Sequence, residues 1–362
     1  MMTIETKPVK ARTTIRVPGS KSYTHRLLIA AALSDGPCRI DHPLRSEDTL
    51  LTFKTLGRLG IRAQDHGDHM CIVGCDGRLG PCDDLIDLRN SGTSMRLLSG
   101  VAILGRGTYR FTGTPRMCER PMHALLDSLN QLGIAARAQH NNGCPPIVVP
   151  AGRLRGRRTT IDCGTSSQYL SALLLAAPCL PEGLRIEVTQ GPVSRPYIDM
   201  TTQILGRFGI EWEQEKYTLF DVPGGQIYRA GDHAVEPDAS QAGYFWAAAA
   251  ITGARVKVSG VIPASSQGDV GLADIFGQMG CRVEHEADGT AVTGGNLRAV
   301  TVDMGHMPDV VPTLAVVAAF ARGTTIIKNV AHLRAKESDR LAAVSQELAK
   351  MGIETRTDAD TL

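Results

Sequence analysis

Five stretches of the chain end alike: TFKTLGRLGI (Thr52–Ile61), LLDSLNQLGI (Leu125–Ile134), TTQILGRFGI (Thr201–Ile210), LADIFGQMGC (Leu272–Cys281) and VSQELAKMGI (Val344–Ile353). Their glycines, Gly60, Gly133, Gly209, Gly280 and Gly352, are spaced by 73, 76, 71 and 72 residues. Apolar residues at i, i+3, i+4 and i+7 make each stretch a helix with one buried face, and the glycine suits the left-handed residue that ends it. A short strand-like stretch follows each, as at Ile61–Ala63 and Cys281–Val283. About 40 residues before each glycine lies a second helix, richer in small apolar residues: HRLLIAAAL, SMRLLSGVAIL, SQYLSALLLAAP, SQAGYFWAAAAITG and VVPTLAVVAAFA. A helix that is apolar nearly all round is a buried one. Each unit therefore reads as strand, buried helix, strands, exposed helix, strand, and the chain is an array of such units.

The 362 residues are too many for one ordinary domain, and 43% hydrophobic with 21% charged residues supports a sizeable core. The repeats divide the chain into a domain of three repeats over 18–235 and a second domain, of 1–17 plus 236–362, with two of an expected three. A sixth copy would end beyond Leu362, so some 60 to 75 residues of a parent protein are expected after it. A chain with 39 basic and 37 acidic residues carries a formal net charge of +2, too little for a broad phosphate-gripping surface, so no nucleic-acid partner is expected. The amino-terminal MMTIETKPVK lacks the apolar run of a signal peptide, and the longest apolar runs are too short and broken to span a bilayer. Nine scattered cysteines favour free thiols in a reducing cytoplasm over a disulfide framework. Cys71, Cys75 and Cys82 form no CxxC pair, so they read as ordinary thiols and no metal is expected.

Chemistry gathers where the helices begin. PGSKSYTHR (Pro18–Arg26) opens a buried helix with Lys21, Ser22 and Arg26, and a helix N-terminus suits a phosphate. It lacks the second glycine of a Walker A loop. RNSGTSMR (Arg89–Arg96) and CGTSSQYL (Cys163–Leu170) enter two more buried helices, bringing Asn90, Gly92, Ser166, Ser167 and Gln168; several of these are also the residue types that cap a helix. TPRMCERP (Thr114–Pro121) sets Arg116 and Arg120 in a loop, and SRPYID (Ser194–Asp199) sets Ser194 three residues before Tyr197. LRAKESDRL (Leu333–Leu341) crowds Lys336, Glu337 and Arg340 with two further charges at the start of the fifth exposed helix, where a solvated face would look the same. Asp309 stands beside an apolar run. Singly each has a structural explanation. Together they place anion-binding and acid–base groups at equivalent helix ends of several repeats.

In these motifs, in their order, the chain resembles the enolpyruvyl transferases, and within them the branch that acts on 3-phosphoshikimate, the EPSP synthases. NSGTSMR and KESDRL are the most specific of the shared stretches, with EPDASQAGY adding to them, and the resemblance covers essentially the whole chain. It implies an α/β fold of two domains built from βαβαββ units, an inside-out α/β barrel, in agreement with the repeats. It implies transfer of the enolpyruvyl group of phosphoenolpyruvate to the 5-hydroxyl of 3-phosphoshikimate with release of phosphate, a shikimate-pathway step toward chorismate and aromatic amino acids, without metal or organic cofactor. The resemblance assigns Lys21, Ser22, Arg26, Ser166, Ser167, Gln168, Ser194, Asp309 and Lys336 to 3-phosphoshikimate, with Tyr197 a further substrate-binding candidate, and Lys21, Gly92, Arg120, Gln168 and Arg340, with Asn90 nearby, to phosphoenolpyruvate; Gly92 leaves room for that ligand or for glyphosate, which mimics it. Catalysis falls to Asp309 as base for the hydroxyl and to Glu337 and Lys21 as proton donors to carbon. A monomer in the cytoplasm, with small-molecule substrates and no membrane partner, is the corresponding expectation.

The resemblance also implies a His-Arg pair and a later lysine at phosphoenolpyruvate, none of which occurs before Leu362, so the chain is expected to bind 3-phosphoshikimate better than it turns over. His332 and Leu97 depart from residues common in the family. Two alternatives differ in substrate or in activity: a UDP-N-acetylglucosamine enolpyruvyl transferase, with Cys118 as its loop cysteine, or a truncated inactive chain that only binds substrate.

Overall fold

The computed structural model describes residues 12–362. The chain divides into two compact units, one of Gly19–Glu236 with His332–Arg340, the other of the described residues up to Pro18 with Pro237–Ala331 and Leu341–Leu362. The portion of the expected second domain before Arg12, and the amino-terminal stretch with it, lie outside the described residues.

The first unit holds three repeats. The second repeat shows the plan: strand Leu85–Asp87, helix Gly92–Val101, strand Thr108–Thr112, helix His123–Gln131, then strands Arg137–Ala138 and Ile147–Pro150. The first strand runs parallel beside the second, the fourth is antiparallel on the second's other side, and the third forms the far edge. The helix between the two parallel strands is the crossover that parallel pairing requires. The third repeat follows the same order, with strands Arg158–Asp162, Leu184–Gln190, Glu213–Glu215 and Leu219–Val222 around helices Gln168–Ala176 and Pro196–Arg207. The first repeat, with helices Lys21–Leu33 and Glu47–Arg58, has three strands of its own: Pro37–Asp41, Arg62–Asp65 and His69–Val73. Its missing first strand is Asp232–Ala234, from the far end of the unit, parallel to Pro37–Asp41. The three repeats thus close on themselves.

Alternation fixes which face of each sheet is inward: Cys38, Ile40, Met70 and Ile72 are buried, whereas their neighbours along the strands are partly or fully exposed. On the helices the three apolar segments meet at the middle of the unit. Helices Gly92–Val101 and Gln168–Ala176 approach so closely that a Cβ on Gly100 would lie 2.5 Å from the Cβ of Ala172. The glycines that announced the repeats take up left-handed backbone, with φ from +76° at Gly209 to +108° at Gly280.

The second unit holds two repeats among the described residues. Strand Arg12–Ile15 pairs parallel with Arg255–Ser259, which is followed antiparallel by Gly289–Thr293 and then Arg282–Glu286, with helices Ala239–Thr252 and Leu272–Gln278. In the last repeat, strands Thr301–Asp303 and Ile326–Lys328 pair in parallel, and helices Val311–Ala318 and Arg340–Lys350 follow them in turn.

Three expectations are corrected. No strand follows the fifth exposed helix at Ile353–Thr355; the backbone instead meets Ile327 at Leu362, where the two residues exchange hydrogen bonds of 2.8 and 3.0 Å. The apolar helices of this unit are not buried all round: Tyr244 is 61% exposed, Phe245 and Val316 are exposed as well, and so is Phe320, in the turn that follows its helix, at 60%. In the first unit three such helices cover one another, whereas the described residues of the second contain two. The segment His332–Arg340, placed by the repeats in the second domain, groups with the first unit. The Arg116 guanidinium fastens it there, donating to the backbone oxygens of Arg334 at 3.2 Å and Lys336 at 3.0 Å.

Candidate active site

Arg26 sits in the second turn of helix Lys21–Leu33 and is 1% exposed. Its Nε donates to Thr201 Oγ1 at 2.7 Å, and its two terminal nitrogens donate to the Ser22 backbone oxygen at 3.0 Å and Ser171 Oγ at 3.2 Å. Its guanidinium lies 5.9 Å from the Tyr197 ring centroid. Every one of these hydrogen-bond partners is neutral. Burial pushes the guanidinium down to about 10, opposed by Tyr197 and Tyr23. A buried cation held by neutral partners is costly, and an anion beside it removes much of that cost.

Arg120 repeats the situation. It is 6% exposed, donates to the Asn90 backbone oxygen at 3.1 Å and lies against Met117 Sδ at 3.8 Å. Among the described residues its Nε has no hydrogen-bond partner, nor has the buried Oδ1 of Asn90. Burial, and then the neighbouring charge of Arg96, lower it to about 10 against the opposing field of Glu337. Gly92 makes the arrangement possible: a Cβ there would come within 2.4 Å of Arg120 Nη2 and 2.7 Å of Cζ. Accommodating an over-packed atom typically costs about 1–3 kcal/mol. Gly92→Ala is accordingly expected to displace the guanidinium and lower the Tm of the chain in thermal melting, and an unchanged Tm would mean that Arg120 moves aside freely.

The other predicted residues of this unit fall into linked groups. Lys21 Nζ bonds Asp48 Oδ2 at 2.9 Å, with their side chains 46% and 29% exposed. Burial works to raise the Asp48 carboxyl, but Lys21, His25 and Arg120 together hold it below the ordinary range. Gln168 bridges two repeats, accepting from Arg96 at 3.0 Å and donating to Thr93 Oγ1 at 2.9 Å. Ser166 Oγ accepts from the Gln168 backbone N–H at 3.3 Å, and Ser167 Oγ donates to the Ser194 backbone oxygen at 3.4 Å. Ser194 is held at φ +54°, and its buried Oγ has no partner in the described residues. It is not the cap of the following helix, which begins after Arg195 without a side-chain cap. A strained residue with an orphaned buried hydroxyl fits a ligand contact better than a capping role.

On the segment His332–Arg340, Arg340 Nε bonds Glu337 Oε1 at 2.7 Å, and Lys336 is half-buried. Asp309 belongs to the other unit, in the short 3-10 turn Pro308–Val310 that leads into helix Val311–Ala318.

Several groups that hold the candidate residues were not singled out in the sequence: Ser171 and Thr201 hold Arg26, and Asp48 holds Lys21. Thr93, which the sequence offered only as a cap, and Arg96 hold Gln168. A lone hydroxyl within the apolar run SALLLAA (Ser171–Ala177) was the available signal for Ser171; Asp48 reads only as an acid in a helix's first turn.

A family model matches the chain over residues 5–362, that of EPSP synthase (3-phosphoshikimate 1-carboxyvinyltransferase). The chain belongs to the EPSP synthases. A 3-phosphoshikimate 1-carboxyvinyltransferase of Sulfurovum sp. (strain NBC37-1) is 42% identical over 367 residues, covering 100% of this chain and 86% of that relative. Another of that name, from Methanoculleus marisnigri, is 42% identical over 360 residues, 99% of this chain and 85% of its own length. A solved EPSP synthase from Acinetobacter baumannii superposes with a TM-score of 0.78 at 27% identity, over 96% of this chain and 80% of that one. The two-domain inside-out α/β fold is thus the family's. So is the reaction, enolpyruvyl transfer from phosphoenolpyruvate to 3-phosphoshikimate in the shikimate pathway. These matches set aside the UDP-N-acetylglucosamine alternative. No helix among the described residues is long and apolar enough to cross a membrane.

Proposed function

We propose that the unit of three repeats is the domain that holds most of 3-phosphoshikimate, through Lys21, Ser22, Arg26, Ser166, Ser167, Gln168, Ser194, Tyr197 and Lys336. Asn90, Gly92, Arg120 and Arg340, with Lys21 and Gln168, receive phosphoenolpyruvate. The observation that carries this reading is the pair of buried guanidiniums, Arg26 and Arg120, hydrogen-bonded to neutral groups alone among the described residues. Each is an anion site already built, and the two substrates are both anions.

The reaction needs a proton delivered to the methylene carbon of phosphoenolpyruvate while the 5-hydroxyl oxygen bonds to C2 and gives up its own proton. The tetrahedral adduct then loses a methyl proton as the C–O bond to phosphate breaks. Glu337 and Lys21 are the proton donors in this assignment, with the Arg340 bond orienting the Glu337 carboxyl. Asp309 takes the hydroxyl proton, and Arg120 balances the charge that builds up on the departing phosphate. The enzyme acts as a monomer in the cytoplasm, a setting that suits nine cysteines present as free thiols.

The test is phosphate release with 3-phosphoshikimate and phosphoenolpyruvate together, with each alone, and with UDP-N-acetylglucosamine in place of the first. Release with the shikimate pair alone is expected. Binding of 3-phosphoshikimate without any turnover would leave the substrate-binding chain as the reading instead.

A further inference from the structure

A cluster of metal-ligating side chains lies outside the substrate site, on the outer face of the first repeat's sheet. Strands Arg62–Asp65 and His69–Val73 pair antiparallel, with Asp65 opposite Met70 and Gln64 opposite Cys71. The His66 amide bonds the His69 backbone oxygen at 3.0 Å and closes the hairpin around Gly67 and Asp68, with Gly67 at φ +95°. Side chains alternate along a strand, so His69 and Cys71 share one face while Met70 and Ile72 fill the core. His66 lies across the turn on that same outer face. One ligand atom from each of His66, His69 and Cys71 falls within 4.8 Å of the others, and the two imidazoles stack with centroids 4.8 Å apart.

We propose that this hairpin binds one divalent transition metal of the zinc type through His66, His69 and Cys71, with water in the fourth position. Two imidazoles and a thiolate are the nitrogen and sulfur donors that zinc selects over magnesium or calcium. Ligand distances of about 2.0–2.3 Å require the three atoms to draw closer than they stand, a change that side-chain rotation supplies while the hairpin hydrogen bonds stay in place. His69 Nδ1 already meets the Asp68 carboxylate at 2.7 Å. That carboxylate–histidine pair fixes the ring's tautomer and strengthens it as a ligand. Arg39, opposite Cys71 in register, is occupied by Asp41 at 2.8 Å. On binding, the Cys71 thiol loses its proton to solvent and sulfur bonds the metal, with no change in oxidation state.

The experiment titrates untagged, chelator-treated protein with zinc by calorimetry, and with cobalt(II) by absorbance. One equivalent is expected, with a sulfur-to-cobalt charge-transfer band. Cys71→Ser should abolish the band, His66→Ala and Cys71→Ser should each weaken zinc at least about tenfold, and Asp68→Asn should weaken it by about 10- to 100-fold. Cys75→Ser and Cys82→Ser should change nothing. Zinc should also slow alkylation of Cys71 alone among the nine thiols of the unsubstituted protein, read by mass spectrometry, which needs no variant to fold. Absence of stoichiometric binding, binding indifferent to Cys71→Ser, or Cys71 alkylated at the same rate with and without zinc would each overturn the proposal.

Discussion

Arg120→Ala is expected to weaken phosphoenolpyruvate binding by about 10²–10⁴-fold while 3-phosphoshikimate binding stays within a few-fold. The guanidinium is 6% exposed, its Nε has no partner among the described residues, and it lies against Gly92, where a Cβ would come within 2.4 Å of Nη2. Two charge-assisted hydrogen bonds to a ligand anion are worth about 1.5–3 kcal/mol each, which sets the range. Isothermal titration of each substrate against both proteins measures the selectivity. An equal loss for both ligands would mean that Arg120 supports the fold of the unit and not one substrate.

Glu337→Gln should lower turnover by about 10²–10⁴-fold, the usual effect of losing one positioned acid or base, with little change in either substrate's affinity. The amide keeps the shape and its oxygen can still accept from Arg340, so the bond that holds the side chain is expected to survive. Single-turnover phosphate release beside titration separates the two effects. If affinity falls as far as rate, Glu337 is a structural partner of Arg340 and the proton comes from elsewhere.

The glycines ending the five exposed helices made the repeat legible, because only a residue at ease with positive φ serves there and the spacing is regular. The motif residues were legible too, since polar groups at the heads of apolar helices stand out against their surroundings. What escaped the sequence was what depends on closure and on neighbours far along the chain. Asp232–Ala234 is a three-residue strand with no buried stripe, and its role as the first repeat's missing strand comes from the unit closing on itself. Thr201 and Ser171 look like ordinary tolerated hydroxyls until Arg26 is placed between them. The charges of Leu333–Leu341 read equally well as a solvated helix start, and the tie to Arg116 lies more than 200 positions away in sequence. Cys71, judged against other cysteines, gave no metal pattern; its neighbours in space are two histidines, His69 on its own strand and His66 across the turn.

The central claim, that Arg26 and its neutral hydroxyl partners form an anion site for 3-phosphoshikimate, is tested most directly by isothermal titration of that ligand against the chain and against Arg26→Met. One-site binding is predicted, weakened at least about tenfold in the variant for the loss of one charge-assisted contact, with circular dichroism unchanged. Absence of binding to the unsubstituted chain, or equal affinity in a folded Arg26→Met, would contradict it.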